Sequence, residues 1–217
     1  MMNHVVIARY DENVSWTTKL NMPYTIIQKQ PNLNVGTESW AFVHFIIENY
    51  ENLPDRILFV HGHENSYHQD HPTWYIANNL NWNLEYMNIN TRRFDEQYIS
   101  SIDDFEDIER HYRKSYKLWI ADNWYDLYGS LPRPHTLFFL GYNQFVLSKK
   151  NILRHPKDFY KRMLKWLETT DIDRKMYVGP SYNFDRAKAY VSGRICEYTW
   201  HYIFTGDPEE RLGNYLM

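Results

Sequence analysis

The run Val5-Val6-Ile7-Ala8-Arg9-Tyr10-Asp11-Glu12 decides the fold. Four apolar residues without polar alternation read as a strand buried on both faces, and a charged stretch follows them at once. Such a strand belongs in a sheet covered by helices on each side, where the loops at the carboxyl ends of strands carry the binding residues. Tyr24 to Gln28 reads as a second strand. Asn34-Val35-Gly36-Thr37-Glu38 then leads into a helix whose apolar positions Trp40, Val43, Ile47 and Tyr50 step at three and four, with Thr37 as N-cap. Ile57-Leu58-Phe59-Val60 is the clearest buried strand, and it opens into a histidine-rich loop from His61 to Pro72.

Downstream, Phe105, Ile108, Tyr112, Tyr116, Trp119 and Ile120 form one stripe of a helix spanning Asp104 to Leu127. Thr136 to Leu147 reads as two strands around a polar turn at Gly141-Tyr142-Asn143-Gln144. A helix from Asn151 to Glu168 is capped by Asn151 and turns Phe159, Met163, Trp166 and Leu167 inward; a last helix runs from Asp185 to Phe204. The alternation predicts an α/β domain with a mostly parallel central sheet and helices on both faces.

Composition narrows the function. The chain has 217 residues and only eight glycines, placed too far apart for a GxGxxG turn or a GxxxxGK[ST] loop. A net charge of -3 gives no general attraction for nucleic acid. One cysteine, Cys196, suits a reducing compartment, and no 18-residue apolar run or basic leader is present. The expectation is a cytoplasmic protein with no membrane span and no signal peptide, that cytoplasm being a host's if the source is viral.

Three constellations can carry chemistry. Arg9, Tyr10, Asp11 and Glu12 stand at a strand's carboxyl end, where carboxylates and a guanidinium can bond the base, ribose or phosphates of a nucleotide. His61 and His63 share a face of extended chain and can both bind one divalent ion, with His68, Asp70 and His71 close by in sequence. The following Asn65 and Ser66 break the HxHxDH pattern of metallohydrolases. Gly193, Glu197 and His201 recur every four residues on one helical stripe, so Gly193 is expected to leave space beside Glu197, a candidate general base, and His201, a candidate metal or phosphate ligand. The basic residues Arg154, Lys157, Lys161 and Lys165 read as a solvated helix face, and Asp171-Ile172-Asp173 as a turn. Trp16, Trp74, Tyr142 and Trp200 are candidates to stack on a base or sugar ring.

The stretches Val5 to Glu12 with Ser15-Trp16, Asn34 to Ser39, Ile47 to Asp55, Gly141 to Ser148, Pro156 to Tyr160 and Glu197 to Phe204 resemble a family found in viruses, fungi and bacteria, the domain of unknown function 3431, grouped with GT-A nucleotide-diphospho-sugar transferases. The chain is also similar to a glycosyltransferase domain encoded by chlorella viruses. The resemblance implies a single GT-A-like domain over residues 1–217 with a mostly parallel mixed sheet of about six strands. Its nucleotide-binding half would be about residues 1–90, and its acceptor-side half about 91–217. It implies transfer of a hexose from UDP-glucose or a related UDP-sugar to a glycan or glycoprotein, with Mn²⁺ or Mg²⁺. Arg9, Tyr10, Asp11, Glu12, Trp16, Lys29, Gly36 and Glu38 would bind the donor, His61, His63 and His201 the metal, and Glu197 would be the base. Most GT-A enzymes carry DxD where this chain has His61-Gly62-His63. Rival readings are a histidine-metal hydrolase and a nucleotide- or sugar-binding module without turnover. The chain can be a whole protein or one domain of a longer enzyme.

Overall fold

The computed structural model describes residues 2–29, 36–90, 98–99, 111–139, 141, 143–172, 190–210 and 213–217. Strands β1 (Asn3–Arg9), β2 (Tyr24–Gln28), β3 (Arg56–His61), β4 (Tyr86–Asn88) and β7 (Phe145–Ser148) form a five-stranded sheet in the order β2-β1-β3-β7-β4. β5 (Tyr98–Ile99) and β6 (Leu137–Phe138) pair separately. β1 lies parallel to β2 and to β3, and β7 runs antiparallel to both β3 and β4, so β4 points the same way as β1, β2 and β3. The sheet is mixed, with two parallel and two antiparallel pairings; four of its five strands point the same way, where about six strands were expected.

Alternation along β1 splits the core in two. Val6 and Ala8 face one cluster with residues of α1 (Thr37–Asn49), α3 (His111–Tyr128), α5 (Lys157–Thr169) and α6 (Tyr190–Thr205). Val5 and Ile7 face the other, with Trp16, Ile76 and Ala77 of α2 (Thr73–Asn79), and Tyr215. α1 is the crossover that parallel pairing of strands requires. Much of the aromatic content fills this interior: Phe42, Phe59 and Phe145 meet pairwise at ring separations of 5.0 to 5.9 Å.

Local punctuation moves several boundaries. The expected helix from Asn151 to Glu168 is two helices, α4 (Lys149–Ile152) and α5, because Pro156 cannot continue a helix; Ser148, not Asn151, supplies the cap and accepts the Asn151 N–H at 3.2 Å. Tyr160 turns inward on α5, while Phe159 is only partly buried. Thr37 is not the cap of α1. Gly36 is, in the left-handed conformation, and no side chain closes the turn. Residues 104–110, 185–189 and Tyr142 lie outside the described residues, as does Asp173. Among the described residues no helix is long and apolar enough to cross a membrane.

Candidate functional site at the carboxyl edge of the sheet

The parallel register aligns Arg9 with Gln28, and Ala8 with His61, so β1, β2 and β3 end together. β4 ends at the same edge, and the antiparallel β7 begins there. The loops after four strands and the loop before a fifth therefore converge.

Arg9 braces this edge. Its Nε donates to the Glu12 carbonyl at 2.9 Å and its Nη1 to Gln28 Oε1 at 2.7 Å, which ties the β1 loop to β2. Glu12 Oε2 accepts the Tyr10 N–H at 2.6 Å, leaving the Tyr10 ring and Asp11 exposed. Glu12 also packs over Gly62, where a Cβ would lie 2.9 Å from Oε2, and its Oε1 stands 3.7 Å from His63 Nε2. Trp16 is 1 % exposed and donates its indole N–H to the Gly62 carbonyl at 2.8 Å. It is a strut between two loops, so the expected stacking role is corrected.

Lys29, 4 % exposed, reaches the start of α1, where its Nζ donates to the Thr37 carbonyl at 2.5 Å. Burial pulls its pKa down to about 8, against the opposing pull of Glu38 and Glu12. For Glu38, burial works against the charge, but His61, its own backbone N–H, Lys29 and the Thr37 hydroxyl outweigh it and hold the carboxyl below the usual range. Burial lowers the His61 pKa, opposed by the carboxylates of Glu38 and Glu12. Its Nε2 is buried without a hydrogen-bond partner.

A buried amide network carries the edge across to α6. Gln144 Oε1 accepts the His61 N–H at 3.1 Å, and Gln144 Nε2 donates to Asn90 Oδ1 at 3.3 Å. The same Asn90 oxygen meets His68 Nδ1 at 2.6 Å. Asn88 and Asn90 both donate to the Gly141 carbonyl, at 2.9 and 3.4 Å, and Glu197 lies on the other side of Gly141, with Oε1 3.2 Å from where its Cβ would be. His61 and Glu197 thus flank one stretch of the edge. Asn88 and Asn90 were not singled out from sequence; the run Asn88-Ile89-Asn90 after a strand was the available signal. Burial lowers the His68 pKa to about 4.

The stripe on α6 divides. Gly193 leaves no space: a Cβ there would overlap Thr37 Oγ1 and lie 2.9 Å from the Gly36 carbonyl carbon, so the helix sits directly on the turn that starts α1. His201 faces the C-terminal segment, with Nε2 3.1 Å from the Pro208 carbonyl and Nδ1 unpartnered. Among the described residues no three His, Cys, Asp or Glu side chains gather to hold a metal, so His61, His63 and His201 do not form a ligand set. Trp200 is buried, donating to Asn143 Oδ1 at 2.6 Å, and Trp74 carries Lys19 5.3 Å above its ring. Among the described residues, Tyr10 and Tyr67 are exposed aromatics beside the site, the Tyr67 ring centre 5.1 Å from that of His68.

The model for the family described as protein of unknown function (DUF3431) matches residues 5–213. No curated protein matches the chain. Among solved structures, the apo WbbM bifunctional glycosyltransferase has a TM-score of 0.42 and 14% identity, over 100% of this chain and 45% of that one. The chain spans less than half the length of that relative.

Proposed function

The chain belongs to the DUF3431 family, and on that premise we propose that it is a glycosyltransferase, moving a hexose from a UDP-sugar to a glycan or glycoprotein acceptor. One observation carries the reading: nucleotide-type and acid–base groups converge on a single sheet edge, with Tyr10, Asp11, Glu12 and Glu38 on one side and Glu197 on the other, beyond His61 and the amide network.

In this reading the Tyr10 ring stacks on the base, Asp11 accepts ribose hydroxyls, and Glu38 bonds a hydroxyl of the donor. Among the described residues of this edge, the two cations Arg9 and Lys29 donate to protein oxygens and are outnumbered by the carboxylates of Asp11, Glu12, Glu38 and Glu197. Such a site repels a bare diphosphate and accepts one that arrives with its own divalent cation, which needs only one or two protein ligands. His61 Nε2 and Glu12 are the donors available to Mn²⁺ or Mg²⁺ there. When bound, that ion would offset the charge left on UDP. Glu197 takes the proton of the acceptor hydroxyl as its oxygen bonds the anomeric carbon and the bond to UDP breaks.

The test is a thermal shift with UDP-, GDP- and CMP-sugars, with and without Mn²⁺, followed by an assay of UDP release. A ligand at 100 times its dissociation constant stabilises by about 2.7 kcal/mol. The expected result is a shift specific to UDP-sugars and Mn²⁺, and Glu197→Gln that binds donor without transfer. Absence of any nucleotide-dependent shift would overturn the reading.

A further inference from the structure

We infer that the protein has a second ligand site, at the end of the sheet away from His61, and that this site takes a carboxylate carried on a ring.

Ser148 at the end of β7 pairs with Arg56 at the start of β3, so α4 and the start of α5 lie at the amino edge of the parallel strands. Tyr50, just past α1, meets them there by donating to the His155 carbonyl at 2.6 Å. Between this turn and the C-terminal end of α3 opens a cavity of about 450 Å³, a size typical of small-molecule sites.

One wall of the cavity is a stack of rings. His155 lies 4.1 Å from Phe159 at 15°, and Phe159 lies 6.1 Å from Tyr128 at 17°. Both outer rings are fixed: His155 Nε2 donates to the Ile203 carbonyl at 2.8 Å, and the Tyr128 hydroxyl shares a hydrogen bond of 2.5 Å with Thr199 Oγ1. Pro132 adds a further apolar surface.

The polar wall is Arg162. Its Nε stands 3.2 Å from where a Cβ of Gly129 would be, and Gly129 has φ 64°, so the guanidinium is seated against bare backbone at the end of α3. Among the described residues this guanidinium makes no ion pair and no hydrogen bond, and the Ser130 hydroxyl lining the same cavity makes none either. The carboxylate in the lining, Asp158, is paired with Lys161 at 2.9 Å. A planar fork with its donors unspent matches a carboxylate bidentately, and one such cation suits a monoanion rather than a diphosphate. The rings beside it favour a ligand whose charge sits on a ring. Arg154, Lys157, Lys161 and Lys165 on the surrounding face give a local field that attracts anions, in a chain whose net charge is -3. A uronic acid sugar and an aromatic acid share this chemistry.

The experiment is an NMR titration of the full chain with glucuronate and with benzoate, read from backbone amide shifts. The expected result is saturable binding in the millimolar range that moves the amides of Gly129, Ser130 and Phe159, while glucose and inorganic phosphate at the same concentrations leave them in place. Arg162→Gln should weaken binding about tenfold, and Arg162→Lys nearly as much, because an ammonium lacks the fork. Arg162 is exposed, so both variants should melt with the parent when no ligand is present. Binding of glucuronate alone supports the site and assigns it to an acidic glycan; binding of benzoate alone supports it and assigns it to an aromatic acid. No saturable shift with either acid overturns the site, as does binding that Arg162→Gln leaves unchanged. Phosphate binding as tightly as the acids overturns the requirement for a ring. The probes contain no nucleotide, so the result stands apart from that of the UDP-sugar experiment.

Discussion

Trp16 and Gly62, 46 residues apart, are joined by an indole N–H donated to a carbonyl at 2.8 Å, so the loops after β1 and β3 are one mechanical unit. Trp16→Phe retains most of the apolar volume and leaves the Gly62 carbonyl unpaired. A buried group left without its partner costs about 1–3 kcal/mol. Urea denaturation should show that loss, and His63 exchange broadening in NMR should report a loosened loop. An unchanged urea midpoint would mean water replaces the indole.

Gly193→Ala reverses a familiar sign. Inside a helix Ala normally gains about 1 kcal/mol over Gly. Here the new methyl meets Thr37 Oγ1 and the Gly36 backbone, and overpacking of this kind costs about 1–3 kcal/mol. Thermal unfolding should show a lower midpoint; a higher one would contradict the close approach of α6 to α1.

His68 makes the fold acid-sensitive. Its folded pKa, about 4, lies below the ordinary 6.5, because burial disfavours the charged ring. Between those values the unfolded chain binds a proton that the native one refuses, so stability is full above pH 6.5 and falls toward pH 4. One such group accounts for a loss on the order of 2 kcal/mol. His4, His61, His155 and His201 shift in the same direction. Denaturant midpoints from pH 7 to 4 should therefore decline, and His68→Gln should decline less steeply. Equal slopes would remove His68 from the account.

Lys29 acts at the other end of the scale and pulls two observables apart. With a folded pKa of about 8 against 10.5, its proton is lost earlier in the native state, so stability rises as pH climbs from 8 to 10.5. Loss of that charge leaves Glu38 and Glu12 uncompensated, so UDP binding should weaken over the same range. Lys29→Met should flatten both curves. Binding that strengthens above pH 8 would place Lys29 outside the ligand's field.

The two buried strands, β1 and β3, and the crossover helix between β2 and β3 were legible because an unbroken apolar run has few alternative homes. The loops after them followed from that placement. β4 was not legible: Tyr86-Met87-Asn88 is three residues with no alternation, and only β7 beside it makes it a strand. Spacing put Gly193, Glu197 and His201 on one stripe, but an α-helix stripe winds past several neighbours over nine residues. Gly193 meets α1, Glu197 meets Gly141, and His201 meets Pro208. The roles of Trp16 and Trp200 were hidden for a related reason: an indole can serve as strut or platform, and only its burial decides.

The antiparallel insertion of β7 sets an order of events during synthesis. Leu58 pairs with Val146, and Met87 pairs with the same Val146. Until that residue has left the ribosome, the apolar edge of β3 is open and β4 has nothing to join. A nascent chain halted before residue 145 presents Ile57, Leu58 and Phe59 on an unprotected strand, the kind of edge that recruits other chains. Ribosome-bound intermediates of that length are where this protein should depend most on chaperones.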